Sequence, residues 1–183
     1  MNYIKNIFIN NKTIFINFTY LSILQFIRIV IPVLLIPILI GKVGLEKYGM
    51  IIFAQTIVAY LMIIVNFGFE MSATKQIAIN RGDNKKLSNI VSSVIVVQIL
   101  LFLTLGFIYF TILSLTSPSN NNYLLFSLSF LFILQEIFIP IWFFQGMEKM
   151  KYIAIIDSLS RLIYFILIIL FINNSDDYLL VPI

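Results

Sequence analysis

Five long apolar stretches make up most of this 183-residue chain, and only short polar segments separate them. A helix rises 1.5 Å per residue, so crossing ~30 Å of hydrocarbon takes roughly 20 residues, and each stretch is long enough. Helices and closed barrels satisfy their own backbone hydrogen bonds in lipid, and a barrel needs segments of about ten alternating residues. Because the runs are continuous, we expect an all-α polytopic membrane helix bundle with spans at about 14–40, 48–69, 90–115, 123–145 and 152–172.

The composition excludes several classes of protein. Hydrophobic residues make up 61% of the chain, charged residues make up 11%, and the mean hydropathy is +1.03, which does not fit a water-soluble domain. The chain has no cysteine and no histidine, so it lacks thiolate metal ligands and the side chain most used for proton transfer near neutral pH. We therefore expect no enzyme activity, no cofactor, no metal and no nucleic acid partner.

The distribution of Lys and Arg predicts which way the chain faces. Basic residues in short loops are retained on the cytoplasmic side during insertion. With a cytoplasmic N-terminus, the outer loops hold Lys42 and Lys47, while Arg28 and Arg161 lie within helices. The inner segments then hold the remaining basic residues, which are Lys5, Lys12, Lys75, Arg81, Lys85, Lys86, Lys149 and Lys151. This bias predicts a cytoplasmic N-terminus.

The longest polar connection runs from Glu70 to Asn89 on the predicted cytoplasmic side. Within it, Thr74 to Asn80 is predicted to form a short helix on the membrane surface, followed by a turn at Arg81 to Asp83. We expect its basic residues to anchor this segment to anionic lipid.

The last residues, Tyr178 to Ile183, begin another apolar run that is far too short for a span. The sequence thus predicts one transmembrane bundle with five complete helices and the start of a sixth. Three interpretations stay open: a truncated gene product, a fragment and one part of a split protein.

Two arginines lie deep within the predicted spans. Counted from the inner ends of their helices at 1.5 Å per residue, Arg28 lies roughly 21 Å and Arg161 roughly 14 Å into the membrane. A charge there costs at least ~2.5 kcal/mol, so it is usually sheltered and functional. Guanidinium is always charged, and its planar fork of donors matches two phosphate oxygens. The two arginines therefore predict one anion site.

Two acidic residues also lie within the spans. Asp157 precedes Arg161 by one turn, and one interpretation is that the two residues pair and ease insertion of the helix. The other is that a wet cavity is lined by the polar residues of one helix face, Asp157, Ser160, Arg161 and Tyr164. Glu136 has no local base, so it is a candidate for a proton-coupled or cation-coupled site; the alternative is a carboxylate that reaches water at the inner rim.

Two of the charged residues are each followed, four residues later, by a proline. Proline removes the hydrogen bond to the carbonyl four residues earlier, so Pro32 frees the carbonyl of Arg28 and Pro140 frees that of Glu136. Such carbonyls must be satisfied by protein, water or ligand, and transporters use them to build sites and hinges. Both prolines are therefore candidate hinges, although prolines are also common in membrane helices.

Weaker polar stripes accompany the charges. Ser22, Gln25 and Arg28 recur at three-residue spacing on the first helix, and Gln55 and Asn66 share a face of the second. We interpret these stripes as candidate walls of the same cavity.

Two motifs carry a resemblance to a known family. Asn66 to Gln76 reads NFGFEMSATKQ, Pro140 to Lys149 contains PIWFFQGMEK, and there is weaker likeness at Pro32 to Pro37 and at Tyr48 with Gly49. From about residue 17 onward, in order and spacing, the chain resembles the N-terminal half of bacterial Wzx-type O-antigen flippases. These polysaccharide transporters belong to the superfamily that also holds multidrug exporters and lipid II flippases.

The resemblance implies a protein that turns an undecaprenyl-pyrophosphate-linked oligosaccharide from the cytoplasmic to the outer face of the bacterial inner membrane. It also implies about twelve helices in two lobes around a cationic cavity, which opens alternately to either side in response to an ion gradient. This chain would cover one lobe, so a second polypeptide would have to supply the other.

The resemblance also suggests roles for the polar residues. Arg28 and Arg161 would hold the phosphates, while Gln25 and Tyr164 would face the rest of the substrate. Glu136 and Asp157 would bind the coupling cation or proton, with Pro32 and Pro140 as hinges.

Other functions remain as alternatives. A multidrug or small-molecule exporter of the same fold would need an acidic and aromatic cavity for cationic cargo, and two arginines count against it. A membrane enzyme would need catalytic groups in a substantial outer loop, and the predicted outer loops are short. A noncatalytic membrane subunit or a nonfunctional remnant is the third alternative, because the chain stops within an apolar run.

Overall fold

Five apolar helical segments organise the chain. The computed structural model describes residues 12–116 and 120–181. Within these ranges, the segments long and apolar enough to cross a membrane are Phe18–Val43, Leu45–Ile79, Asn84–Thr116, Tyr123–Gly146 and Met150–Phe171. The predicted all-α polytopic bundle with five spans is confirmed.

The spans are built from α helices of very different lengths. In the described ranges these are α1 (Lys12–Val43), α2 (Leu45–Asn66), α3 (Phe69–Ile79), α4 (Asn84–Thr116), α5 (Asn120–Phe130), α6 (Ile133–Phe138), α7 (Ile141–Gly146) and α8 (Met150–Phe171). A 3₁₀ helix, Ser175–Leu180, covers the first part of the run that the sequence assigns to a sixth span. Residues 182 and 183 of that run, and the basic residue Lys5, lie outside the described residues.

The second span changes direction at the NFG sequence of the first motif. Phe67 and Gly68 both adopt left-handed backbone angles, with φ of 42° and 75°. Glycine reaches this region without steric penalty, whereas a residue with a side chain seldom does. The α2 helix therefore ends at Asn66, and α3 begins at Phe69, five residues earlier than the predicted surface helix.

The turn between α3 and α4 spans residues 80–82, one residue earlier than the predicted turn at Arg81 to Asp83. The Asp83 carboxylate accepts a hydrogen bond of 3.1 Å from the Lys86 backbone N–H, which is a cap for the first turn of α4. This bond holds the pKa of Asp83 below its usual value. With its first turn capped, α4 begins at Asn84 and not at Ile90, the first residue of the predicted apolar span.

The fourth span is divided into three helices, whereas the sequence predicts a continuous helix. One break, at residues 139–140, lies at Pro140, which has no backbone N–H to continue the ladder. The other lies at residues 131–132, where hydrogen bonds from residue i to residue i−3, such as Phe132 N–H to Ser129 O, replace the i to i−4 bonds of an α helix. The buried Ser129 hydroxyl donates to the carbonyl of Leu125, a contact that tends to bend helices.

Pro32 behaves differently from Pro140. It lies inside α1, and helical structure continues through it from Lys12 to Val43. The missing hydrogen bond at Pro32 is therefore tolerated within one helix, while the same loss at Pro140 coincides with a break.

Buried apolar side chains hold the helices together in neighbouring groups. Along α1 the buried residues recur mostly at four-residue spacing, which places them on one face that packs against α8 and α2: Leu24, Ile31, Leu35, Leu39 and Val43. A second group joins α2, α4, α5 and α6, with Phe130 stacked between Tyr109 and Phe102. The remaining surface is rich in exposed large apolar side chains, as expected of helices that face lipid.

The two motifs that carry the family resemblance contact one another, since the hydroxyl of Thr74 donates to the carbonyl of Trp142 at 3.2 Å. Arg81, in the turn after α3, donates from Nε to the carbonyl of Gly146 at 2.7 Å and from Nη2 to the Glu148 carboxylate at 2.8 Å. Beside them, α3 and α7 approach so closely that a Cβ at Gly146 would lie 2.6 Å from the Cβ of Ile77. This α3–α7 contact ties the second span to the end of the fourth.

We predict that Gly146→Ala destabilises the protein by about 1–3 kcal/mol, because the new methyl group would overlap Ile77 and the α3 backbone. The matched control is Gly49→Ala, where a Cβ meets nothing within 4 Å in a helix interior. Thermal unfolding in detergent, followed by circular dichroism, measures both variants. Equal midpoints for the two variants would show that the close approach at Gly146 does not exist.

Candidate functional site

A cavity of about 530 Å³ opens between α1, α2, α6 and α8. Its volume falls within the ~300–1,000 Å³ that is usual for ligand pockets. The α1 wall is apolar and includes Ile31, Leu35 and Leu39, all from the buried face of that helix. The polar lining comes from the other three helices and consists of Tyr48, Gln55, Gln135, Asp157, Ser160, Arg161 and Tyr164.

An ion-pair network of three side chains, which we call the Arg–Asp–Arg triad, joins α1 to α8 beside this cavity. Asp157 and Arg161 line the cavity, whereas Arg28 does not. Arg161 donates from Nε to Oδ2 of Asp157 at 2.8 Å, one turn away on α8. Arg28, on α1, donates from Nε to the same oxygen at 3.2 Å and from Nη2 to Oδ1 at 3.4 Å. One carboxylate thus lies between two guanidiniums that are far apart in the sequence.

The triad is sheltered but not sealed. The Asp157 side chain is 13% exposed, while those of Arg28 and Arg161 are 35% and 34% exposed. Two guanidiniums and one carboxylate leave a formal charge of +1 within helices that are otherwise almost entirely apolar. Such an excess positive charge at membrane depth favours an anion nearby.

The helix geometry explains why the arginines meet. The α1 and α8 helices pack along each other more extensively than any other pair in the described part of the chain. Leu24 of α1 packs with Ile153 and Ala154 of α8 in one buried cluster. Arg28 lies one turn beyond Leu24, and Asp157 lies one turn beyond Ile153, so the same packing brings the two charged residues together.

One end of the cavity is bordered by the segment that follows α8. Val181 lines the cavity, and the hydroxyl of Tyr164 donates to its carbonyl oxygen at 3.0 Å. Tyr178 is buried, and the ammonium of Lys47 lies 5.0 Å from the centre of its ring. The Asp177 carboxylate accepts from two backbone N–H groups, and the pKa of Asp177 is lowered by these bonds from Asn174 and Asn173.

Glu136 lies in a neighbouring recess. A cavity of about 30 Å³, room for one or two water molecules, is lined by Glu136, Gln135, Asp157 and Ser160 together with apolar residues of α7 and α8. Glu136 forms no ion pair with another residue in the described part of the chain. The break at Pro140 lies beside this recess, since Ile139 and Ile141 also line it.

The structure brings together most of the residues that the sequence singles out. Asp157 pairs with Arg161, and all four polar residues of that α8 face line the cavity. Pro32 lines the cavity as well. Gln25 is exposed on α1 and does not line it.

Two features of the site escape sequence analysis. The pairing of Arg28 with Asp157 joins residues 129 positions apart, and no local pattern predicts such a contact. Gln135 lines both cavities, and the only signal for it is a polar residue next to Glu136 in an apolar span. The group that could have been recognised is therefore Gln135 with Glu136, as a polar pair before the proline.

Comparison with known proteins identifies a family. A family model described as polysaccharide biosynthesis protein matches residues 14–183. No solved structure gives a significant match.

Two curated relatives, both named "Putative O-antigen transporter", are similar to the chain. One, from Escherichia coli (strain K12), is 32% identical over 162 residues, which cover 88% of this chain and 39% of the relative. The other, from Shigella dysenteriae, is 26% identical over 152 residues, which cover 80% of this chain and 36% of the relative. The chain thus spans less than half the length of these relatives.

The resemblance that the two motifs indicate is therefore confirmed at the level of the family. The match covers nearly the whole chain, and it includes all five spans and the residues of the triad. The chain is a multi-pass membrane protein and belongs to the polysaccharide biosynthesis protein family.

Proposed function

We propose that the chain forms one lobe of a transporter that moves undecaprenyl-pyrophosphate-linked O-antigen oligosaccharides across the bacterial inner membrane by alternating access. The observation that carries this proposal is that Arg28 and Arg161 share the carboxylate of Asp157, and that Asp157 and Arg161 line the large cavity. The names of the two relatives favour a polysaccharide cargo, and the family match favours a role in polysaccharide biosynthesis.

The chemistry of the cargo explains why such a site is needed. A pyrophosphate and a hydrophilic sugar do not enter hydrocarbon unaided, so their path needs water and positive charge. Guanidinium groups bind phosphate oxygens in pairs and keep their charge at every physiological pH. Arg28 and Arg161 would therefore hold the phosphates, and the cavity beside them would admit part of the cargo.

The triad also separates this proposal from the nearest alternative. A multidrug exporter for cationic molecules would place unpaired acidic groups in its cavity. Here the single acidic residue that lines the large cavity, Asp157, is shared by two arginines, which leaves the described part of the site positive. An anionic cargo is therefore favoured.

The remaining polar residues have supporting roles in the proposal. Tyr164 would contact the substrate from the α8 wall, while Gln25 would have to do so from the exposed face of α1. Glu136 would bind the coupling cation or proton in its own recess, next to Asp157. The break at Pro140 and Pro32 within α1 would serve as hinges between inward-open and outward-open states.

The proposal includes an opposite lobe that faces the cavity. Because the chain spans about two fifths of its relatives, the rest of the transporter would come from further sequence or from a second polypeptide. That lobe would add helices across the open side of the cavity, and the two lobes together would have about the number of helices that the family resemblance implies.

We predict that Arg28→Ala and Arg161→Ala, introduced into the complete transporter, each lower O-antigen export by at least about tenfold, because each removes one phosphate-binding fork. Complementation of a flippase deletion, read out as surface O-antigen, measures the effect. Arg28→Lys keeps the charge but loses the fork, so we expect it to restore export only in part.

The control for export is Lys85→Ala, which removes an exposed positive charge at the start of α4, a helix that does not line the cavity. It should leave export unchanged. Normal export by Arg28→Ala and Arg161→Ala at wild-type protein levels would rule out the proposed anion site.

We also predict the orientation of the chain, which has no cysteine of its own. Single cysteines replace the exposed residues Glu46, at the start of α2, and Lys85, at the start of α4. With a cytoplasmic N-terminus, a membrane-impermeant maleimide added to spheroplasts should label Glu46→Cys and not Lys85→Cys. The reverse pattern would invert the proposed topology.

A further inference from the structure

The carboxylate of Asp157 occupies the position where the two arginines can act on a single ion. Its Oδ2 atom accepts from the Nε atoms of both Arg28 and Arg161, at 3.2 and 2.8 Å. Its Oδ1 atom accepts from Nη2 of Arg28 at 3.4 Å, so Arg28 grips the carboxylate through two parallel donors. This is the fork geometry with which arginine also binds phosphate.

We propose that Asp157 is an internal counter-ion that competes with anionic cargo, so that a bound oxyanion replaces its carboxylate between the arginines and favours the protonated form of Asp157. This inference rests on the proposed anion site and adds to it a rule for binding and release. The cargo oxygens would take the positions that the two carboxylate oxygens now hold.

The charges around the triad explain why the exchange and the proton are linked. With Asp157 ionised, the triad carries a formal charge of +1, and protonation of Asp157 raises it to +2, the charge of the two guanidiniums alone. A divalent oxyanion is better balanced by +2. Binding that favours the protonated form must, by linkage, become tighter as pH falls.

Each element beside Asp157 contributes a defined group to this balance. On α1 the charged neighbour is Arg28, and on α8 itself it is Arg161. Glu136 of α6 shares the small recess with Asp157 and can also take up a proton. Tyr48 of α2 and Tyr164 of α8 line the large cavity and each add a phenol hydroxyl.

An internal competitor also gives the site a means of release. Departure of the cargo lets the carboxylate return to both guanidiniums, which keeps them from remaining unpaired in a partly buried site. Affinity for the anion is then moderate and release is fast, as a transporter requires. A site with two arginines and no aspartate would hold its anion longer.

The test measures binding of radiolabelled sulfate to the purified chain in lipid nanodiscs, by equilibrium dialysis at constant ionic strength. Sulfate keeps the same charge in mildly acidic and mildly alkaline buffer, so any change in affinity reports on the protein. We expect the wild-type chain to bind sulfate about tenfold more tightly in the acidic buffer. We expect Asp157→Asn to bind tightly in both buffers, with the pH dependence removed.

The matched control is Glu46→Gln, which removes an exposed carboxylate at the start of α2 that does not line the cavity. It should retain the pH dependence of the wild-type chain. If Glu136→Gln abolishes the pH dependence while Asp157→Asn keeps it, the competing group is Glu136 and the inference is overturned. Wild-type affinity that does not change with pH overturns it as well, without any variant.

Two further variants separate failure of this inference from failure of the proposed function. Arg28→Gln and Arg161→Gln should each weaken sulfate binding. If they do so while Asp157→Asn binds no more tightly than wild type, the anion site stands and the exchange is wrong. If neither arginine variant changes binding, or if the wild-type chain binds no sulfate in either buffer, the anion site itself is wrong.

Discussion

The packing of α1 along α8 is the contact on which the rest of the site depends. It places one aspartate between two arginines in the interior of helices that otherwise carry almost no charge. Ionised groups at this depth are tolerated where they pair or border a cavity, and here they do both. The same contact leaves one positive charge in excess, and this excess distinguishes the site from a purely structural ion pair.

The rest of the bundle positions this contact. The break at Pro140 and the tight bonds at residues 131–132 turn the fourth span into short helices, and these bring Gln135 and Glu136 beside Asp157. The α3–α7 contact fixes the other end of that span, through Arg81 and the close approach at Gly146. A rigid end and a broken middle suit a span that carries functional groups at membrane depth.

Much of this could be predicted from the sequence, for physical reasons that differ by feature. The five spans follow from hydropathy, because lipid requires about 20 apolar residues per helix. The shared face of Asp157 and Arg161 follows from helical periodicity. The meeting of Arg28 with Asp157 is a tertiary contact without a local signal, and the break at residues 131–132 has neither proline nor glycine to announce it. The sequence also does not predict that α1 continues through Pro32, because contacts with neighbouring helices determine whether a proline breaks its helix.

A double-mutant cycle between Arg28 and Asp157 measures whether the two side chains interact across α1 and α8. The free energy of unfolding is measured for the wild-type chain, Arg28→Ala, Asp157→Ala and the double variant under identical detergent conditions. We predict that the double variant loses less stability than the sum of the single losses, with a coupling of roughly 0.5–3 kcal/mol. Strict additivity would contradict this prediction, because the two residues would then not interact across α1 and α8.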